Sequence, residues 1–284
     1  MSKLGSFFAS RSGRIPLSTL IAGGAGVVII VVLAVLLATK GSTGSPAQGN
    51  TTQTSGAGTT AASTTASTAA GQQTTLAAQK SFDSPEAAIK FFVSSVAGND
   101  FPAAEQTFAI DEYAAKFDFT GYATYLKTMM PLTMPAPAEY GMYVDMNKAT
   151  ALGDLTRQTK DFVYSFFEAT GMDGSPIVVS ATDDISQFVK AVDPSGLKPL
   201  QIAKIELPAP DVYNSATNVA NFKRMAGFYG ADEMAERVVT YSLGGQTFQG
   251  GFGLLRYGSD WKIFRLYSNL AAQPASGIVT KVGE

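Results

Sequence analysis

Tyrosines and carboxylates are the side chains of this chain that could transfer a proton, because its 284 residues include no histidine and no cysteine. Those two absences exclude Ser-His-Asp and Cys-His catalysis, the usual zinc sites, thiolate metal ligands and disulfide bonds. The catalytic site that is still open to such a chain is an isomerase-like one. It pairs a carboxylate base in an apolar pocket with a tyrosine that donates a hydrogen bond to a developing oxyanion. The tyrosines considered for that donor are Tyr113, Tyr122, Tyr125 and Tyr241.

The positions of the acidic residues argue against such a site. They fall at predicted helix starts or in turns, and none follows Arg237 within the three strands predicted there. Asp183 and Asp184 are adjacent, but neighbours on a helix point roughly 100° apart and acids favour first turns, which indicates capping. We therefore predict no enzyme activity, no catalytic residue, no metal site and no cofactor.

The run from Leu20 to Ala38 contains no polar or charged side chain and predicts where the protein sits. A helix of that length covers roughly the ~30 Å hydrocarbon core of a bilayer. Lys3, Arg11 and Arg14 precede the run, which places the N-terminus in the cytoplasm and the rest of the chain outside. We predict a single-pass cell-membrane anchor that contacts the bilayer through residues 20–38. A cleaved signal peptide is the alternative, although its apolar region is usually only ~7–15 residues long.

Charge and composition divide the chain into segments. Residues 1–80 carry five basic and no acidic side chains, whereas the remainder carries 16 basic and 23 acidic ones, a net charge of −7. That acidic domain argues against nucleic-acid binding. The predicted segments are a basic cytoplasmic tail (1–16), a transmembrane helix (17–39), a disordered Thr/Ser/Ala/Gly linker (40–80), an extracytoplasmic α+β domain (81–270) and a C-terminal tail (271–284). Asn50 begins the one N-x-[ST] sequon, a possible glycosylation site in the linker.

Helices dominate the first half of the predicted domain. Asp83-Ser84-Pro85-Glu86 is a helix start, with a capping residue, then Pro at the first turn and an acid near the positive helix end. The longest soluble helix is predicted over 147–170, and a short one from residue 182 should turn Ile185 and Val189 inward. A strand over 197–207 with a bulge near Ala203-Lys204 and a helix over 216–229 follow.

Three strands joined by tight turns end the domain. Gly244-Gly245 predicts a two-residue hairpin turn that pairs Tyr241 with Phe248. The residues 258–260 predict a three-residue turn that pairs Tyr257 with Trp261. By this register Arg265 and Tyr267 lie opposite Gly253 and Gly251. One face of the meander is apolar, and the other is predicted to be an exposed binding surface that carries Tyr257, Trp261, Arg265 and Tyr267.

The predicted fold class is α+β: N-terminal helices packed on a bent antiparallel sheet, with a helical insertion in the middle, a C-terminal three-strand meander and one preceding transmembrane helix. The sequence SPEAAIKFFV (84–93) and the closing GSDWKIF (258–264) resemble the two ends of the nuclear-transport-factor-two-like domains, which are cone-shaped and cystatin-like. That superfamily includes ketosteroid isomerases, small-molecule binders and membrane-anchored assembly domains. The segment order here is most similar to the last group.

Three functions stay open on the sequence. The first is a non-enzymatic membrane-anchored domain that binds another protein or a cell-envelope component through the aromatic and arginine side chains of the mixed face. That face could instead be covered by the insertion helices. The second is a small-ligand pocket inside the cone, with isomerase-like chemistry as its extreme form. The third is a spacer domain in an envelope or secretion assembly. Oligomeric state is left open.

Overall fold

The computed structural model of the chain describes residues 80–169, 179, 185–273 and 277–283. All of them belong to the unit Leu76–Glu284. The predicted cytoplasmic tail, transmembrane helix and Asn50 lie outside these residues, as does almost all of the linker. Among the helices that the described ranges contain, none is both long and apolar enough to cross a bilayer.

Capping side chains begin the first two helices, and the first of them begins where the sequence predicts. The Ser84 hydroxyl accepts a hydrogen bond from the Ala87 amide at 3.2 Å, and Asp100 caps the next helix through the Ala103 amide at 3.0 Å. The helices are α1 (Pro85–Ala97), α2 (Phe101–Glu105), α3 (Asp111–Lys116), α4 (Phe119–Leu126), α5 (Gly141–Phe166), α6 (Ile185–Ala191), α7 (Pro210–Tyr213) and α8 (Ala216–Phe228), with a 3-10 turn at Pro194–Leu197.

The strands form one antiparallel sheet in the order β1-β2-β3-β4. They are β1 (Gln201–Glu206), β2 (Glu233–Leu243), β3 (Gln246–Tyr257), β4 (Asp260–Arg265) and β5 (Thr280–Lys281). The predicted bulge is confirmed between Ile202 and Lys204, and the two-residue turn is confirmed by the pairing of Leu243 with Gln246. Together with the helices, this sheet confirms the α+β class.

The second turn was predicted wrongly. Tyr257 pairs with Asp260 rather than with Trp261, so the β3–β4 connection has two residues, with a positive φ of 65° at Gly258. A register shift at Phe264 then offsets the shorter turn, and Arg265 still lies opposite Gly253 as predicted. Between the turn and this register shift, each β4 side chain lies on the opposite face of the sheet from the one predicted, because successive side chains of a strand alternate between the two faces.

Two further expectations about the domain were wrong. Residues after 270 do not all form a tail: β5 pairs with β3, and Val279 is buried in the core because it packs against that strand pair. In α6, Ile185 and Val189 are exposed rather than inward, because the short helix contributes no residue to the core. α5 begins six residues earlier than the predicted start at residue 147 and ends at Phe166 rather than at residue 170.

Aromatic side chains join the helices to one face of the sheet. Phe92 of α1 contacts Phe162 of α5 and Phe252 of β3, with ring centroids 5.6 and 5.7 Å apart in edge-to-face geometry. Trp261 and Ile263 of β4 belong to this same buried cluster. A second, smaller cluster on Leu255 and Tyr257 covers the other face, where side chains of α3 and α8 pack. Helices therefore lie against both faces of the sheet.

Candidate functional site: a polar cavity beside the edge strand

The four residues predicted to form an open binding face do not form one. Tyr257, Trp261 and Arg265 are buried, with 9, 7 and 9% of their surfaces exposed, and Tyr267 is half-buried. The shorter turn places Trp261 in the core, on the opposite face from Tyr257. The prediction of an exposed surface at these residues was therefore wrong: side chains of α3 and α8 pack on the face that carries Tyr257, and Trp261 lies in the core on the opposite face.

Two of the four, Arg265 and Tyr267, instead line a cavity of about 260 Å³ beside β4. Its walls come from the middle of α5, from α3, and from the residues at the ends of α8 and β4. The lining residues are Ala109, Tyr113, Ala151, Asp154, Leu155, Arg157, Gln158, Tyr229, Phe264, Arg265 and Tyr267. Aromatic walls with a few polar groups are typical of small-molecule sites.

A fully buried carboxylate, Glu236, holds the arginine of this cavity in place. Glu236 lies in the middle of β2, and its Oε1 accepts a short hydrogen bond from Arg265 Nη2. Its Oε2 accepts from the Ser268 hydroxyl at 2.6 Å and from the Leu270 amide at 3.1 Å. A buried charge requires such pairing, because desolvation alone would be far too costly. Glu236 thus fixes both Arg265 and the turn that follows β4.

The guanidinium of Arg265 is only partly used by this network. Its Cζ lies 4.8 Å from the ring centroids of both Phe264 and Tyr267, so it is flanked by aromatic rings. Its Nε is buried and has no hydrogen-bond partner among the described residues. Because Arg265 lines the cavity and is its positively charged group beside aromatic walls, it is the group of the cavity best suited to contact an anionic oxygen.

Two tyrosines of the cavity are neutral hydrogen-bond donors at physiological pH. Burial raises the pKa of Tyr113 and of Tyr229 well above the ordinary value of 10, and neighbouring tyrosines add to the rise in both. The negative charge of Asp154 contributes a smaller part of the rise at Tyr113. Their rings stack with centroids 5.3 Å apart. Neither hydroxyl has a partner among the described residues, so both can donate to a ligand.

Gln158 fixes the position of α5 relative to the strands. Its Oε1 accepts a hydrogen bond from the Leu266 amide at 2.7 Å, although the two residues are 108 positions apart. The carbonyl of Gln158 also lies so close to Gly277 that a Cβ there would overlap it. The wall of the cavity formed by α5 is therefore attached to the end of β4 and to the returning C-terminal segment.

The four tyrosines that were candidates for the hydrogen-bond donor lie in different parts of the structure. Tyr113 lines the cavity, whereas Tyr241 is fully buried in the main core, where burial raises its pKa well above 10. Tyr122 and Tyr125 lie near Phe228, outside the cavity lining. Asp154 is the acid of the cavity lining, and it is exposed to solvent rather than enclosed by apolar side chains.

Sequence reasoning missed Glu236 altogether. β2 was predicted to begin at Arg237, whereas it begins at Glu233, which places Glu236 inside the strand. Two signals were available in the sequence. Glu236 directly precedes an apolar strand, and the register that pairs Tyr241 with Phe248 also pairs Glu236 with Gly253. No group of three carboxylates lies where it could hold a metal ion within the described part of the chain.

A larger surface groove of about 660 Å³ lies beside the start of α1 and is lined partly by Lys80, Lys90 and Phe91. It is broad and open, and it begins at the first described residue. Lys80 Nζ already lies 3.8 Å from the centre of the Phe91 ring. We regard it as a weaker candidate than the cavity beside β4, because a broad, open groove encloses less of a small ligand.

Comparison with known proteins adds one structural likeness. No protein-family model matches the chain, and no curated protein matches it. Among solved structures, it is similar to a cystatin-like protein from Ruminococcus gnavus ATCC 29149, with 20% sequence identity and a TM-score of 0.43. The aligned region covers 69% of this chain and 44% of that protein. The chain thus spans less than half of that protein's length, and no function is transferred from it.

Proposed function

We propose that this chain is a membrane-anchored extracytoplasmic protein whose folded domain binds a small ligand with an anionic oxygen, such as a carboxylate, without transforming it. The observation that carries the proposal is the position of Arg265 in the lining of an aromatic-walled cavity. The apolar run 20–38 and the basic residues before it support the anchor and its orientation.

The size and polarity of the cavity define the ligand class. A volume of about 260 Å³ lies just below the ~300–1,000 Å³ of sites for drug-sized molecules, so the ligand is smaller than those. Arg265 supplies a charge-assisted donor, and the hydroxyls of Tyr113 and Tyr229 supply neutral ones. The ring of Phe264 offers an apolar contact. A compact aromatic or short aliphatic carboxylate satisfies all these groups.

The proposed binding is tested by calorimetric titration of the full chain, in detergent micelles, with benzoate, acetate and butyrate. Ala151→Phe places a ring at the cavity wall, on a half-buried position of α5 where the helix can tolerate it. Ala149→Phe is the matched control, because residue 149 is exposed on the same helix and outside the cavity. We expect at least one carboxylate to bind the wild type and the control, and not the Ala151→Phe variant.

Benzyl alcohol serves as the uncharged counterpart of benzoate. Preference for benzoate supports recognition of charge by Arg265, whereas equal binding would indicate an apolar site only. If none of the three carboxylates binds, the ligand class is wrong and the spacer function becomes the better account. Binding that survives in Ala151→Phe as strongly as in Ala149→Phe would place the ligand elsewhere on the protein.

A proton-transfer enzyme is the second candidate, because Asp154 and Tyr113 line the same cavity. A carboxylate base and a neutral tyrosine donor are the two groups that an isomerase-like reaction needs. The exposure of Asp154 favours binding over catalysis. Exchange of the α-protons of a bound carboxylate with deuterated water, followed by NMR, tests it. Exchange that Asp154→Asn abolishes would make the protein an enzyme.

A further inference from the structure

Thioether sulfur is concentrated in one short segment of this chain. The chain has nine methionines, and five of them lie within residues 129–146: Met129, Met130, Met134, Met142 and Met146. Because the sequence lacks cysteine and histidine, methionines are its only side chains that can act as soft metal ligands. The cavity beside β4 contains none of them.

Three of these methionines are exposed, although methionine is normally buried. The exposed fractions are 60% for Met129, 67% for Met142 and 55% for Met146. Met142 and Met146 are four residues apart in α5, so they share one helix face with Cβ atoms about 5–6 Å apart. Two flexible thioethers at that spacing can reach a single ion from the solvent side.

The preceding loop is fastened to α5 directly beside this pair. The Ala136 amide donates to Asn147 Oδ1 at 2.8 Å, and Asn147 Nδ2 donates to the Ala136 carbonyl at 2.9 Å. Asn147 is buried and follows Met146 in the helix. The Met130 amide donates to the sulfur of Met134 at 3.3 Å, which engages that buried sulfur within the loop.

We propose that the thioethers of Met142 and Met146 bind one monovalent soft metal ion, namely Cu(I). Neutral, polarisable sulfur favours Cu(I) over hard cations such as Mg²⁺ and Ca²⁺, which take oxygen ligands. Binding displaces water and changes no oxidation state. The site is independent of the proposed ligand cavity and departs from the sequence expectation that the chain holds no metal.

Titration of the full chain with Ag(I), an air-stable monovalent soft ion, tests this site, and anaerobic competition against a Cu(I) chelator gives the affinity for Cu(I). The decisive variant is Met142→Leu with Met146→Leu, which keeps the apolar surface and removes both sulfurs. The control is Met225→Leu with Met234→Leu, which removes two thioethers from the cluster on the other face of the sheet. Circular dichroism checks that each variant is folded.

We expect one Ag(I) per wild-type chain and at least about tenfold weaker binding in Met142→Leu/Met146→Leu, since even second-shell changes at metal sites cost 10–100-fold. The control pair should bind as the wild type does, and Mg²⁺ should not compete. Equal Ag(I) affinity in the wild type and Met142→Leu/Met146→Leu, or no binding at all, would overturn the proposal.

Discussion

Arg265 lies directly across from Gly253 in the β3–β4 pairing, and its Nε would be 2.5 Å from a Cβ atom on that glycine. The absence of a side chain at residue 253 therefore lets the guanidinium lie flat over the strand. From there it reaches Glu236, which pairs with Gly253 from the β2 side. The glycine, the acid and the arginine form one row across three strands, and the arginine of this row lines the cavity.

Replacing Gly253 by alanine is expected to displace Arg265 and destabilise the fold by about 1–3 kcal/mol, the usual cost of adding a methyl group to a packed interior. Gly153 is the control, because it is exposed in α5 and a Cβ there meets nothing within 4 Å. Gly153→Ala should stabilise by about 0.5–1 kcal/mol, since glycine inside a helix is unfavourable. Urea unfolding measures both changes. Equal stability of Gly253→Ala and the wild type would contradict this account of Arg265.

Removing Glu236 alone should be more damaging than removing the whole ion pair. Glu236→Leu leaves Arg265 buried without its partner, and breaking a buried pair typically costs about 3–5 kcal/mol. The double variant Glu236→Leu/Arg265→Met removes both charges and should recover most of that loss. Denaturant unfolding of the two variants provides the comparison. If the double variant is less stable than Glu236→Leu, the contacts of Arg265 with the aromatic rings outweigh its pairing with the acid.

The ion pair of Glu86 with Arg237 makes stability depend on pH in the acid range. Partial burial acts to raise the pKa of Glu86, but the hydrogen bond from Arg237 at 2.6 Å and its charge outweigh burial and hold the pKa below 4.5. The unfolded chain has the ordinary value, so this contribution is present above pH 4.5 and is lost as the pH falls through the lower folded pKa.

Glu86→Gln should therefore be less stable than the wild type at pH 7 by up to about 1 kcal/mol, a small value because Glu86 is partly exposed. The difference should shrink progressively below pH 4.5. Thermal unfolding at several pH values measures it, with Glu139→Gln as the exposed control. A constant difference between pH 7 and pH 3 would show that the charge of Glu86 is not responsible.

Buried tyrosines should resist ionisation until the protein unfolds. The chain has eleven tyrosines, and burial is the largest cause of a raised pKa in five of them: Tyr113, Tyr122, Tyr229, Tyr241 and Tyr257. Because their folded pKa values lie above 10, their stabilising contribution is complete below pH 10 and is lost as the pH rises further. A titration followed by phenolate absorbance should therefore show five tyrosines that ionise only when the protein unfolds. Simultaneous ionisation of all eleven near pH 10 would contradict this.

Local sequence signals predicted the elements that depend on neighbouring residues. Ser84 caps α1, and Gly244 and Gly245 both take positive φ in the first hairpin turn, as their types require. The bulge between Ile202 and Lys204 was visible as a slip in the alternation of apolar residues. Each of these features depends on a few residues adjacent in the chain, so its free energy is local.

The cavity could not be predicted in the same way, because its residues meet through distant contacts. Arg265 and Glu236 are 29 positions apart, and Gln158 reaches Leu266 over 108 positions. One residue of difference in the turn at Gly258 moved Trp261 into the core and left Tyr257 on the other face. A period of two makes face assignment sensitive to any such slip.

The sequence by itself determined the chemistry that is unavailable to this protein, the apolar run that predicts an anchor, and the α+β order of helices before strands. Composition and local periodicity are sufficient for those statements because they require no knowledge of long-range contacts. Only the tertiary structure decided that the mixed face of the sheet is covered, that Glu236 is buried with Arg265, and that a polar cavity lies beside β4. Burial and pairing are properties of residues brought together by folding, and the linear order of the chain does not contain them.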